Sequence, residues 1–222
     1  MGDGSDFGIR LSYKVQPSPD GLAQAFIIAE NFIGDNSVAL ILGDNIFYGS
    51  GLGRRLSEIP NDVGATIFGV RVKDPERYGV VEFSESGKVL SIEEKPKSPK
   101  SDYAIPGLYF CDPTVIEIAK NVKPSARGEF EITSILQTYL DSGSLKTTLL
   151  ERGTAWLDTG TFESLHAASS FIKIIEERQG FKVSCLEEIA WRNKWITDSN
   201  LEELAKGYGP SDYKNYLLSL LN

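Results

Sequence analysis

Two aspartates far apart in the chain stand in like surroundings. In "SVALILGDN" an apolar run from Val38 to Leu42 breaks off at Gly43 and delivers Asp44, and in "TAWLDTG" Trp156 and Leu157 deliver Asp158. Each reads as the end of a strand, before a loop that begins a helix. In an open α/β sheet the ligand crevice lies beyond the carboxyl ends of the strands, and a carboxylate there has no apolar reason to exist. Two brought together repel unless a cation lies between them. A hard divalent ion fits, because Mg²⁺ commonly uses one or two protein carboxylates plus substrate phosphates. For either aspartate alone, the alternative is a plain cap on the following helix.

Groups suited to phosphate stand near other loops. "KPSARGEFEIT" places Arg127 just before a helix, where a guanidinium could fork onto a phosphate beside the positive helix end. "SIEEKP" puts Glu93, Glu94 and Lys95 at a strand exit fixed by Pro96. Glu93 reads as an exposed charge, and Glu94 with Lys95 as a positioned pair. "GSGLG" at 49–53 lacks the lysine and the full spacing of a phosphate-binding glycine loop, so it reads as a flexible connection.

The elements that must hold these groups follow from periodicity. "GIRLSYKVQ" alternates apolar and polar residues, as a half-buried strand does. "LAQAFIIAENFI" carries Leu22, Ala25, Phe26, Ala29 and Ile33 on one helical face, and "VALIL" has the continuous apolar character of a strand covered on both faces. A short helix in "LGRRLSEI" and a buried strand in "GATIFGVRV" complete a β-α-β-α-β order, which implies a parallel sheet with right-handed crossovers. "VVEFSESGKVLSIEEKP" breaks that order with a hairpin turning at Ser84 to Gly87. A strand in "YAIPGLYFCD" has Pro106 at a bulge or edge. Helices in "PTVIEIAKNV" and "EFEITSILQTYLDSG", two strands ending at Asp158, and a long helix stopped by Gly180 come next. From Val183 onward only short helices are signalled. The expected fold is α/β, with a mixed, mainly parallel sheet flanked by helices, a β-hairpin insertion and a helical C-terminal tail. The expected division is 1–182 and 183–222.

The totals bound the function. The 222 residues, 41% hydrophobic, can cover both faces of one sheet. A net charge of −8 argues against a nucleic-acid backbone as partner. One histidine, His166, cannot build a His-rich metal site, and Cys111 and Cys185 form no ligand spacing and fit a reducing compartment. No run approaches the roughly 18 apolar residues that span a bilayer, and "MGDGSDFGIR" has no secretory core. The expectation is a cytoplasmic protein that engages neither membrane nor nucleic acid.

The motifs "YKVQPSPDGLAQAF", "LGDNIFYG", "DPERYGVVEF", "SIEEKP", "KPSARGEFEIT", "WLDTGT" and "IEERQGFKVSC" run in order over nearly the whole chain. Together they resemble the sugar nucleotidyltransferases, most closely those of the glucose-1-phosphate thymidylyltransferase kind. The resemblance implies joining of dTTP and glucose 1-phosphate to give dTDP-glucose and pyrophosphate, for deoxysugar (dTDP-rhamnose) and surface-polysaccharide pathways. It implies that Asp44 and Asp158 hold Mg²⁺ at the attacked α-phosphorus, with no protein nucleophile. It also implies that Gln16 and Gly21 meet the thymine edge, and that Asn45, Tyr78, Gly79, Glu94 and the backbone of Ile105 meet the sugar. Lys95 and Arg127 would meet phosphate. Trp156 reads as packing. A homo-oligomer, a tetramer, is implied through the helical tail, the alternative being that these helices simply cap the sheet.

The chain departs from the pattern at its start. A loop such as G-x-G-T-R-L-x-P and a following K-Q-L-x-P segment have no counterpart in this sequence. The expectation drawn from this is an N-terminally truncated chain, weakly active or inactive alone and prone to associate. Two rivals follow: a non-catalytic nucleotide-sugar-binding or assembly protein, and a metal-dependent glycosyltransferase, for which "GDN" is a poor D-x-D.

Overall fold

The computed structural model describes residues 1–59 and 63–222. The strands are β1 (Val38–Ile41), β2 (Asn45–Tyr48), β3 (Ala65–Arg71), β4 (Gly79–Phe83), β5 (Val89–Glu94), β6 (Tyr103–Ile105), β7 (Leu108–Cys111), β8 (Leu145–Leu149) and β9 (Ala155–Asp158). The helices are α1 (Gln24–Ile28), α2 (Glu30–Ile33), α3 (Leu52–Ser57), α4 (Val115–Asn121), α5 (Ile132–Asp141), α6 (Phe162–Gln179), α7 (Leu186–Arg192), α8 (Asp198–Gly207) and α9 (Asp212–Ser219). Contacts gather them into an α/β unit, Lys14–Leu165, and a helical unit of Met1–Tyr13 with His166–Asn222.

The large sheet is organised by one interrupted strand. β6 and β7 are halves of a single extended run, parted by Pro106 and Gly107, because proline has no N–H for the ladder. One edge of the run pairs with β3 along both halves. The other edge forks: β7 pairs with β1, while β6 pairs with β4, which continues into β5. β8 pairs with β3 in parallel.

The mixed α/β class holds, but the mainly parallel sheet expected from sequence does not. Among the described residues β3/β8 is the parallel pair, and the other pairings are antiparallel. β1 and β3 do run the same way, as their β-α-β order demands. The later strand β7 lies between them in the opposite sense and takes a ladder from each.

The core lies under this sheet. α5 presents Ile132, Ile135, Leu136 and Tyr139, all buried, at the i, i+3, i+4, i+7 spacing of one helical face. They pack in one cluster with Ile67, Val81, Ile105, Tyr109, Val115, Phe26 and Ile33. Burying each large side chain contributes about 1.5–3 kcal/mol.

Three local expectations fail. Residues 8–16 form no strand: Tyr13 and Val15 are 72% and 85% exposed, and no strand among the described residues offers them a ladder. Alternation records amphipathicity, not the presence of a partner. The single helix expected from Leu22 to Ile33 is interrupted at Ala29 (φ −90°, ψ 6°), although its apolar face still buries Phe26 and Ile33. β1 is not covered on both faces, for its burial alternates and Ile41 is 58% exposed.

The helical unit has its own small core of Cys185, Ala190, Ile196, Leu201, Ala205 and Leu217. α8 begins with a reciprocal cap, in which the Thr197 hydroxyl accepts from the Asn200 N–H and the Asn200 side chain accepts from the Thr197 N–H. No described helix is long and apolar enough to cross a membrane.

Candidate active site

The two aspartates meet through a short ribbon of their own. β2 and β9 pair antiparallel, with Asn45 opposite Asp158, so the start of one strand lies beside the end of the other. The Thr159 N–H and hydroxyl both donate to the Asp44 carbonyl, at 2.8 and 2.9 Å, and fasten the junction. This geometry replaces the expected one. Asp44 opens β2, not a loop into a helix, so it caps nothing. Asp158 does precede a helix, and its Oδ1 accepts from the Gly160 N–H at 3.1 Å.

Both carboxylates open into a pocket at the fork of the large sheet. Leu42, Asp44, Asn45, Arg77, Tyr78, Gly79, Glu94, Lys95, Ile105, Gly107, Thr133, Trp156 and Asp158 line it, over a floor of Leu22, Tyr109, Ile132 and Leu136. The pocket exists because β1 and β4 take different halves of β6–β7 and diverge. Gly107 is required at the branch, since a Cβ there would come within 2.5 Å of Leu42. The free space, about 190 Å³, is below the roughly 300–1,000 Å³ of pockets that enclose a drug-sized ligand. That is room for one moiety of a larger molecule.

Charge around the pocket is uneven. Glu94 stands above the ordinary carboxylate range, because burial disfavours its ionised form and Glu131 repels it, against the pull of Lys95 and Arg127. Arg127 reaches Glu94 and Glu131 at 3.5 Å each and Glu129 at 2.9 Å. Lys95 holds a left-handed backbone (φ 42°), and its N–H donates to the Tyr78 carbonyl at 3.0 Å. Such strain in a non-glycine residue persists only where neighbours enforce it. Asp158 Oδ2 accepts from the Arg77 guanidinium at 3.3 Å and the Tyr78 hydroxyl at 3.4 Å.

Of the residues singled out in the sequence, Asp44, Asn45, Tyr78, Gly79, Glu94, Lys95, Ile105 and Asp158 line this pocket. Gln16, Gly21 and Arg127 do not. The exposed Gln16 amide donates to the Gly21 carbonyl at 3.1 Å and to Gln24 at 2.9 Å, so it is tied into its own loop. Gly21 (φ 125°) presses on Phe130, whose carbonyl a Cβ would meet at 2.4 Å, and it precedes the pocket residue Leu22. Arg127 stands one ion pair away, behind Glu94.

Arg77, Thr133 and Trp156 escaped the sequence reading. Arg77 directly precedes the Tyr78–Gly79 pair, and an arginine beside a candidate ligand residue was a signal available in "DPERYG". Trp156 read as packing, yet its indole N–H donates to Asn45 at 2.7 Å. Position i−2 from Asp158 on a strand, hence the same face, was the usable clue.

The donor set fits a divalent cation of the hard type. Two carboxylates open into one pocket and all their donors are oxygen, the chemistry that suits Mg²⁺ or Mn²⁺. No group of three or more His, Cys, Asp or Glu placed to hold a metal ion occurs among the described residues, so further ligands would come from a bound phosphate and water.

The nucleotidyl transferase family profile matches residues 1–174. The chain belongs to this family. It is 57% identical over 222 residues to the glucose-1-phosphate thymidylyltransferase of Neisseria meningitidis, covering 100% of this chain and 77% of that protein. To the Mycobacterium tuberculosis protein of the same name it is 56% identical over 221 residues, again 100% and 77%. A crystal structure from Bacillus anthracis, assigned as a glucose-1-phosphate thymidylyltransferase and solved with sucrose, superposes with a TM-score of 0.68 at 40% identity, covering 77% of this chain and 68% of that one. The sequence-based recognition, that this is a nucleotidyltransferase of the glucose-1-phosphate thymidylyltransferase kind and an enzyme, is borne out.

Proposed function

We propose that the pocket joins dTTP to glucose 1-phosphate, giving dTDP-glucose and pyrophosphate with Mg²⁺. The observation that carries this is the convergence of Asp44 and Asp158 on the pocket that also gathers Tyr78, Gly79, Glu94 and Lys95, in a chain whose relatives bear that activity's name. A sugar-phosphate oxygen attacks the α-phosphorus in line, the bond to the β-phosphate oxygen breaks, and pyrophosphate leaves. Positioning and charge neutralisation suffice, so no side chain need act as nucleophile.

Each residue then has a task. Asp44 and Asp158 would hold the metal, which when bound neutralises charge building on the phosphoryl oxygens. Glu94 accepts from sugar hydroxyls, Gly79 lets backbone approach the ring, and Tyr78, Asn45 and Ile105 shape its walls. Lys95, held rigidly by its backbone bond to Tyr78, pairs with phosphate as a point charge. Arg127 is engaged by Glu94, Glu129 and Glu131 and exchanges part of that pairing for the sugar phosphate. Gln16 and Gly21, on the loop before Leu22, would meet the base, the amide both donating and accepting.

The test is pyrophosphate release from dTTP and glucose 1-phosphate in Mg²⁺, beside calorimetry of dTDP-glucose binding. Asp44→Asn and Asp158→Asn should each lower turnover by about a thousandfold, as expected for loss of several kcal/mol of charge stabilisation, while leaving dTDP-glucose bound. Full turnover in either variant, or no dTDP-glucose binding by the unaltered chain, would overturn the assignment.

A further inference from the structure

Asn45 sits between groups that leave it one orientation. Its Oδ1 accepts from the Trp156 indole N–H at 2.7 Å and from the Gly107 N–H at 2.9 Å, and its Nδ2 donates to Asp44 Oδ1 at 2.7 Å. Turning the amide over would set a donor against two donors and an acceptor against a carboxylate. Of its capacity, one N–H hydrogen remains, so the side chain acts mainly on Asp44.

The same tryptophan reaches the other aspartate. Its ring packs edge-on against the Tyr78 ring, centroids 4.8 Å apart at 63°, and the Tyr78 hydroxyl donates to Asp158 Oδ2 at 3.4 Å. A continuous path therefore runs from Asp44 through Asn45, Trp156 and Tyr78 to Asp158. Trp156 is its centre, with one hydrogen bond toward the first carboxylate and one ring contact toward the second.

We propose that Trp156 is a positioning residue that sets both carboxylates, aiming Asp44 through Asn45 and Asp158 through Tyr78. The inference rests on the reading of Asp44 and Asp158 as metal ligands. Carboxylates that bind metals are held by outer hydrogen bonds whose loss typically costs about 10- to 100-fold in metal affinity. A tryptophan serving only as packing would act through its ring, and its N–H would be dispensable once replaced by phenylalanine.

Trp156→Phe separates the two, since it keeps an aromatic ring and removes the donor. Bound Mn²⁺ is counted by electron paramagnetic resonance, with saturating dTDP-glucose, in the unaltered chain, Asp44→Asn, Trp156→Phe, Asn45→Ser and the double variant Trp156→Phe/Asn45→Ser. Expected are strong loss in Asp44→Asn, about a tenfold weakening of Mn²⁺ binding in Trp156→Phe, and a double variant no weaker than Asn45→Ser. If the unaltered chain binds no more Mn²⁺ than Asp44→Asn, the metal-site reading itself fails. If Asp44→Asn loses the ion while Trp156→Phe retains full affinity, or if the two single effects add, the positioning role is overturned. Should Trp156→Phe not fold, Asn45→Ser breaks the same path with the indole in place, and full Mn²⁺ affinity there would overturn it equally.

Discussion

Glu94 in the α/β unit and Glu187 in the helical unit are both glutamates drawn out of water, and they end in opposite states. The Glu94 side chain is 19% exposed, and burial with the neighbouring Glu131 raises it above the usual carboxylate range. Glu187 is 3% exposed. Burial pushes it upward too, but hydroxyls from Tyr208 and Tyr213, its own backbone N–H and the Cys185 thiol outweigh that and hold it below the ordinary value. The Tyr213 bond is 2.6 Å. The helical unit has thus surrounded its carboxylate with donors from its own chain. The pocket has supplied Glu94 with two cations and one hydroxyl, that of Thr133, but burial and a like charge outweigh them. A carboxylate served by its own fold is structure; one left partly unserved in a cleft is a candidate for ligand binding.

The contrast is sharpest under amide substitution. Glu187→Gln puts an NH₂ against one of two tyrosine hydroxyls and removes a charge-assisted network, so it should destabilise the chain by about 3 kcal/mol, read by urea unfolding. Binding of dTDP-glucose should survive wherever the protein remains folded. Glu94→Gln should do the reverse. Relief from burial and from Glu131 leaves the unfolding midpoint unchanged or raised, while dTDP-glucose affinity falls by about 2 kcal/mol, the scale of a lost charged hydrogen bond, roughly thirtyfold by calorimetry. A Glu94→Gln protein that unfolds more easily and binds normally would erase the distinction.

Sequence made the two regions unequally legible. In the α/β unit, periodicity exposed α5, the hairpin β4/β5, β1 and the strand that ends at Asp158, while β2, which Asp44 leads into, went unread. The fork at Pro106–Gly107 was visible only as an irregularity. That β7 lies between β1 and β3 is a long-range pairing, and nothing local to those residues encodes it. Residues 8–16 show the converse error, since their alternation is real and no strand among the described residues meets them. The site was legible where a motif carried it, as at Glu94–Lys95 and Tyr78–Gly79. It was missed at Trp156, where the strand face shared with Asp158 was the one local clue and the hydrogen bond to Asn45, 111 residues away, left none. Glu187 drew no notice at all: among the charges of "CLEEIAWR" nothing distinguishes it from Glu188 until Tyr208 and Tyr213 fold over it.

The smallest effect expected is a pair of opposed pH slopes. Glu94 binds its proton more tightly folded than unfolded, so its contribution to stability is fully present below the ordinary 4.5 and is lost as pH rises through its raised folded value. Glu187 binds its proton less tightly folded. Its contribution is present above 4.5 and is lost as pH falls through its lowered folded value. Other carboxylates titrate in the same range, so the useful quantity is the stability of the unaltered chain minus that of each glutamine variant, measured by urea unfolding from pH 3 upward. The Glu94 difference should decline with rising pH and the Glu187 difference should grow. Parallel slopes would mean that the two buried carboxylates are treated alike by their surroundings, and the division between a ligand-facing group and a self-satisfied one would lose its physical basis.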